Sequence, residues 1–229
     1  MILIPKSGLR TSLALIAVLS LSACGNDPEK QASMTSVVGL VKSPLSVFGA
    51  KKKVAPQPLG LTRDLLNTLD TPVDLLTVES SGGQALIAQV GSNQGVETWG
   101  SADEKTFSFR QGILVATRGL GPDLMSATVP AAAQLAKAGS SFTRVQTYLG
   151  DEDQPVTMRF DCQVSLIGRE SVTIVERNYS ATHLRETCTG DRAQFANDYW
   201  FQSGGKLRQS RQWIGKNAGY LTIQRLSGA

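Results

Sequence analysis

Hydrophobic positions along this chain follow two regimes. Between Thr11 and Leu21 they run almost unbroken, and from Leu75 onward they alternate with polar residues in short bursts. A period of two marks a half-buried strand. It predicts strands at Leu75–Glu79, Gln84–Val90, Glu97–Trp99, Thr106–Arg110 and Ile113–Thr117. It resumes at Ser141–Tyr148, Pro155–Leu166, Glu170–Tyr179, Ala181–Thr187, Ala193–Gln202, Lys206–Trp213 and Gly219–Arg225. Gly82-Gly83, Gly91-Ser92-Asn93, Ala102-Asp103-Glu104, Gln111-Gly112 and Ser203-Gly204-Gly205 read as the turns between bursts. A short helix is expected before the first strand, capped by Thr62, with Leu65, Leu66 and Leu69 on one face. Small residues at Pro130–Ala138 add a helical turn or two. Evenly spaced strands with so little helix define an all-β fold, an antiparallel meander forming a barrel or sandwich.

The unbroken run has a different meaning. Lys6 and Arg10 precede it, and Leu21-Ser22-Ala23-Cys24 closes it. A basic segment, a short apolar core and small residues before a cleavage point describe a secretory signal peptide, too short for a membrane-spanning helix. A cysteine at the cleavage point makes it a bacterial lipoprotein signal. The Cys24 thiol is then expected to carry diacylglycerol, and the new amino terminus a further acyl chain. Several chains together hold a protein on a membrane that one chain holds only marginally. Gly25 and Asn26 follow the cysteine where inner-membrane retention favours an aspartate, which points to the outer membrane, with the domain in the periplasm. Apart from these lipids no cofactor is expected.

Residues 1–23 thus form the leader and 24–60 a lipidated tether, rich in proline and carrying Lys51-Lys52-Lys53. Residues 61–229 form a single β domain. That domain carries 16 basic and 17 acidic side chains, so the basic character of the chain belongs to the leader and tether. Nucleic-acid binding needs the excess on the domain itself and is excluded as a partner class. With Cys24 lipidated, Cys162 and Cys188 remain, and the oxidising periplasm permits them to pair. The rival is two buried thiols. A bond across their separation of 26 residues contributes about 3 kcal/mol on a chain-entropy estimate. Two distant cysteines and one histidine, His183, do not make a metal site.

Enzyme templates do not match. The chain has no Gly-x-Ser-x-Gly elbow, no His-Glu-x-x-His helix and no phosphate-binding glycine loop. Asp151-Glu152-Asp153 reads as a solvated hairpin loop, and His183 as a structural or exposed imidazole. Two segments stand out. In Val115-Ala116-Thr117-Arg118-Gly119-Leu120-Gly121-Pro122-Asp123-Leu124-Met125, Arg118 and Asp123 bracket a glycine-rich turn. They either pair with each other to lock it or form a contact site. In Asn197-Asp198-Tyr199-Trp200-Phe201 and Ser210-Arg211-Gln212-Trp213, aromatic rings sit beside polar side chains, as sugar recognition needs. An alternating strand also buries half its residues, so Trp200 and Trp213 serve equally as core.

Through these segments the chain resembles the YjbF/GfcB family of lipoproteins. The resemblance implies a mostly antiparallel β fold and an outer-membrane lipoprotein working with machinery for exopolysaccharide or group 4 capsule export. It supplies no catalytic residue. The expected function is therefore a non-catalytic accessory that meets other polysaccharide-export proteins, the polysaccharide, or both. Arg118, Asp123, Trp200, Arg211 and Trp213 are its candidate contacts, and the membrane is reached through Cys24. The alternatives are a glycan-trimming enzyme working through carboxylates and a general envelope-assembly lipoprotein.

Overall fold

The structure, a computed structural model, describes residues 59–121, 123–150 and 154–226. The leader, Cys24, most of the tether and the Asp151–Asp153 loop lie outside the described residues. A short helix, α1 (Arg63–Asn67), leads into β1 (Val73–Val78), β2 (Gly83–Asn93), β3 (Val96–Ser101), β4 (Thr106–Arg110), β5 (Ile113–Arg118) and β6 (Leu124–Thr128). One turn of helix, α2 (Ala132–Leu135), precedes β7 (Ser141–Leu149), β8 (Pro155–Ile174) and β9 (Arg177–Thr189). Then come β10 (Gln194–Gln202), β11 (Leu207–Gly215) and β12 (Gly219–Arg225).

All twelve strands join one antiparallel sheet in the order β5-β4-β3-β2-β1-β12-β11-β10-β9-β8-β7-β6. Each strand pairs with the next except across β5 and β6, and β1 pairs with β12 with Asp74 opposite Arg225. The meander therefore rolls into a nearly closed barrel, and its seam falls between β5 and β6. An even strand number brings the chain in and out at one end, called here the entry end. Among the described residues of the barrel wall, this near-closure leaves the seam to manage as a sheet edge.

Alternation along β1 and β2 separates two cores. Leu76, Val78 and Ile87 point inward to the main core, where Phe195 stacks on Trp213 at 4.6 Å and Phe160 meets Phe195 edge-on at 4.9 Å. Val73, Leu75, Leu86 and Ala88 point outward and are buried against Val172, Ile174, Tyr179 and Ala181. Those four belong to the far reach of the β8–β9 hairpin, which overhangs the barrel and covers the outside of β1 and β2. A third cluster, Ile113, Val164, Leu184, Tyr199 and Phe201, is closed by Leu135 of α2.

The hairpin corrects the expected strand count between residues 155 and 187, where two long strands replace three short ones. A register shift between Leu166 and Gly168 absorbs one extra residue, so β8 continues instead of ending. The reversal falls at Val175 (φ 39°) and Glu176 (φ 60°), a two-residue turn in the left-handed region that lacks the usual glycine or asparagine. Arg63 holds it: Nε donates to the Val175 carbonyl at 2.6 Å, Nη2 to that of Ile174, and Nη1 to that of Leu226 at 3.0 Å. Strained turns of this kind persist where the surroundings over-determine them. Strand β6 was not expected, and Leu59, assigned to the tether, is already buried beside this clasp. The expected Thr62 cap is present, with Oγ1 accepting from Leu65 N at 3.2 Å. Cys162 and Cys188 face each other across β8 and β9 and form a disulfide.

Candidate functional site

The five candidate residues divide among three places. Arg118 and Asp123 stitch the seam. Asp123 Oδ1 accepts from Thr117 Oγ1 at 2.9 Å and from Leu120 N at 3.2 Å, and Oδ2 accepts from Gly119 N at 2.8 Å. Arg118 crosses to β6, donating to the carbonyls of Leu124 at 3.1 Å and Met125 at 3.3 Å. Both residues lock the turn, through Thr117 and the backbone, where a mutual ion pair was the expected lock. Gly119 (φ 88°) adopts a backbone that L side chains rarely reach. Lower on β5, Gln212 reaches from β11 to accept from Leu114 N at 2.9 Å and to donate to Gly112 O at 2.9 Å. Side chains thus satisfy backbone groups that a neighbouring strand would otherwise take.

Trp213 lies in the main core and is 7% exposed. Nearby, a polar network spans the interior. Arg144 and Glu186, 1% and 0% exposed, pair through Nε and through Nη2 at 2.9 Å. Glu186 Oε2 also accepts from Tyr199 Oη at 3.0 Å and Asn197 Nδ2 at 2.8 Å, while Asn197 Oδ1 takes the Trp213 amide at 2.8 Å. Burial raises the Tyr199 phenol well above its ordinary range, and the Glu186 charge adds to that. Sequence reasoning missed this pair. Its signal is Arg144 and Glu186, two opposite charges at inward positions of the alternation on β7 and β9. The disulfide sulfurs lie beside Glu186, but they are bonded to each other and the carboxylate is held by Arg144. This trio is not a metal site.

Trp200 and Arg211 come together on the outer wall. His183 sits between two carboxylates, Nδ1 to Glu170 Oε1 at 2.9 Å and Nε2 to Asp198 Oδ1 at 2.9 Å. Its ring stacks on Trp200 at 4.3 Å, and Trp200 Nε1 donates to Glu170 Oε2 at 2.9 Å. The Trp200 and His183 hydrogen bonds hold the Glu170 carboxyl below its ordinary range. Arg185 donates to Asp198 at 2.8 Å, and Arg211 lies 3.9 Å from the other Asp198 oxygen. Arg211 also clamps Glu79 at 2.8 and 2.9 Å and covers the Tyr220 ring at 3.4 Å. The result is a belt of charge and aromatic rings crossing β8 to β12, with Glu79 just past β1. Asp198 stood inside a recognised motif; Glu79, Glu170 and Arg185 carried no sequence signal and are brought in by register.

A nearly closed twelve-stranded barrel with a charged outer belt defines a β-barrel protein, and among the described residues no helix is long and apolar enough to cross a membrane. The chain belongs to the family described as group 4 capsule polysaccharide lipoprotein gfcB, YjbF, which it matches over residues 41–226. It is 28% identical over 153 residues to the uncharacterized lipoprotein YjbF of Escherichia coli (strain K12), covering 63% of this chain and 69% of that protein. The crystal structure of the hypothetical lipoprotein YmcC from Escherichia coli (K12) is similar with a TM-score of 0.65 at 24% identity, covering 74% of this chain and 90% of that one, and shares the fold. The resemblance read from the motifs holds. Family membership gives the protein a role in capsule polysaccharide biogenesis.

Proposed function

We propose that the protein is a non-catalytic outer-membrane lipoprotein that assists exopolysaccharide or capsule export as a docking module. Cys24 carries the diacyl and N-acyl anchor, the barrel stands in the periplasm, and other export proteins meet its outer belt. The observation carrying this reading is the belt itself. Asp198 is desolvated while its partners Arg185 and Arg211, and Glu170 on the other side of His183, keep 44%, 31% and 43% of their side chains exposed. A buried anchor charge ringed by half-exposed ones offers a pre-organised surface, where partner charges steer association and set register.

A glycan-trimming carboxylate pair has less support. It needs one carboxyl held protonated near neutral pH with room for a sugar between it and its partner. Glu170 is pushed the opposite way. Asp74 is pushed up to about 6 by burial, but it faces a cavity of about 20 Å³, space for about one water.

The test is secreted and cell-surface polysaccharide in a deletion strain complemented with wild type, Cys24→Ala, or the double variant Arg185→Ala/Arg211→Ala. The reading expects polysaccharide to be restored by wild type alone, with the double variant still folded. Unchanged polysaccharide in the deletion, accompanied by envelope permeability defects, would overturn it in favour of general envelope assembly.

A further inference from the structure

At the entry end, on the inward face of the overhanging hairpin, lies a cleft of about 390 Å³. Its floor is apolar, with Leu184 and Phe201 both buried. Its walls are polar: Arg169 from β8, Ser180 and Thr182 from β9, and Gln202 at the end of β10. Arg208 Nε donates to Gln202 Oε1 at 2.7 Å, which fixes that amide. A second observation comes from β8. Leu166 and Ile167, 57% and 46% exposed, are the exposed large hydrophobics among the described residues, and the register sets Leu166 opposite the floor residue Leu184. The cleft's apolar floor therefore continues into an uncovered apolar edge.

We propose that this cleft binds one or two residues of a polysaccharide, with an acidic substituent on Arg169. The inference deepens the export reading and rests on it. Hydroxyls and an amide that both donate and accept suit sugar hydroxyls, while the leucine and phenylalanine floor suits the C–H faces of the ring. A guanidinium is the side chain best shaped to take a carboxylate through two parallel hydrogen bonds. The volume falls at the small end of ligand sites, which limits the segment to a short one.

A protein strand is the rival occupant. β7 pairs with β8 only as far as Gln163, and Ser140 and Gly139 take the backbone of Val164, so no described strand covers that edge beyond. The bulge at Leu166–Gly168 and the charges of Arg169 and Glu170 interrupt the edge, however, and those are the devices by which proteins prevent strand addition.

The experiment titrates the full lipidated chain in detergent with galacturonate oligomers, and with galactose oligomers as the neutral control, by calorimetry. The acidic series should bind at least tenfold more tightly. Arg169→Gln, at an exposed position, should erase that preference with unchanged melting, and Arg159→Gln, exposed on β8 away from the cleft, should leave it intact. No binding of either series, or equal binding of both, overturns the proposal. In producing cells, a photo-crosslinker at position 166 should yield a glycan-bearing smear. A discrete protein adduct there overturns the proposal in favour of strand addition. The two readings fail separately: loss of polysaccharide in the deletion strain without oligosaccharide binding removes the cleft assignment and leaves the export role standing.

Discussion

The interior network and the outer belt use the same side chains, a carboxylate held by arginine beside an aromatic ring, in opposite surroundings. Arg144 and Glu186 are dry, and every oxygen of Glu186 meets a donor. Breaking such a pair strands a charge in a low-dielectric interior, so it acts as an all-or-none constraint on the fold. Around Asp198 the cations remain partly hydrated, and each can leave with modest loss because water replaces it. The interior pair is thus tied to the architecture, whereas the belt can exchange its internal partners for those of another molecule at little cost to the barrel.

Glu186→Gln tests this contrast most severely. It removes the anion and leaves Arg144 buried without its counter-charge, which should lower unfolding stability by about 3–5 kcal/mol in urea denaturation. Adding Arg144→Met to that variant should recover part of the loss. If the single variant is instead nearly neutral, water reaches the pair and the contrast collapses.

Asp74 gives a smaller effect of the opposite sign. Its carboxyl is raised from 3.8 to about 6, chiefly by burial, against the nearby Arg225 charge. Among the described residues its Oδ1 has no hydrogen-bond partner. Because the folded form prefers the proton, stability is fully present below about pH 4 and falls as pH rises through about 6. Asp74→Asn should therefore stabilise the barrel by up to about 3 kcal/mol at pH 7.5 and by almost nothing at pH 3.5. Melting curves at the two pH values check it, and an equal shift at both would show that ionisation is not the cause.

The least effect is expected on the wall. Arg185→Ala should cost under about 1 kcal/mol and, if the belt is a docking surface, should still weaken recovery of export partners by affinity capture. A loss of stability comparable to that of Glu186→Gln would make the belt structural.

Period-two alternation made most of the barrel readable, because burial on one face writes itself directly into the residue order. It failed where geometry overrode local signals. Val175 and Glu176 carry no turn chemistry, and their reversal is imposed by Arg63, more than a hundred residues away. The outward core on β1 and β2 was hidden for a related reason. Val73, Leu75, Leu86 and Ala88 are apolar on the face that a plain barrel leaves wet, and only the overhanging hairpin explains them. At the site, the motifs flagged the right strands but merged three roles. In Asn197-Asp198-Tyr199-Trp200 alternate residues face opposite sides of the wall, so a single motif serves the interior network and the belt together. Arg118 and Asp123 are recognisable because the seam depends on them, and the structure gives them partners within the fold.

The clasp formed by Arg63 also sets a mechanical load path. Tension arriving along the chain from residues before Leu59 meets that buried leucine first, and then the guanidinium that joins the hairpin tip to the Leu226 carbonyl. These bonds tie the first and last described segments and the hairpin tip to one point, so a pull on the chain before β1 is shared with the end of β12 and the β8–β9 hairpin and does not peel β1 from its neighbours one hydrogen bond at a time.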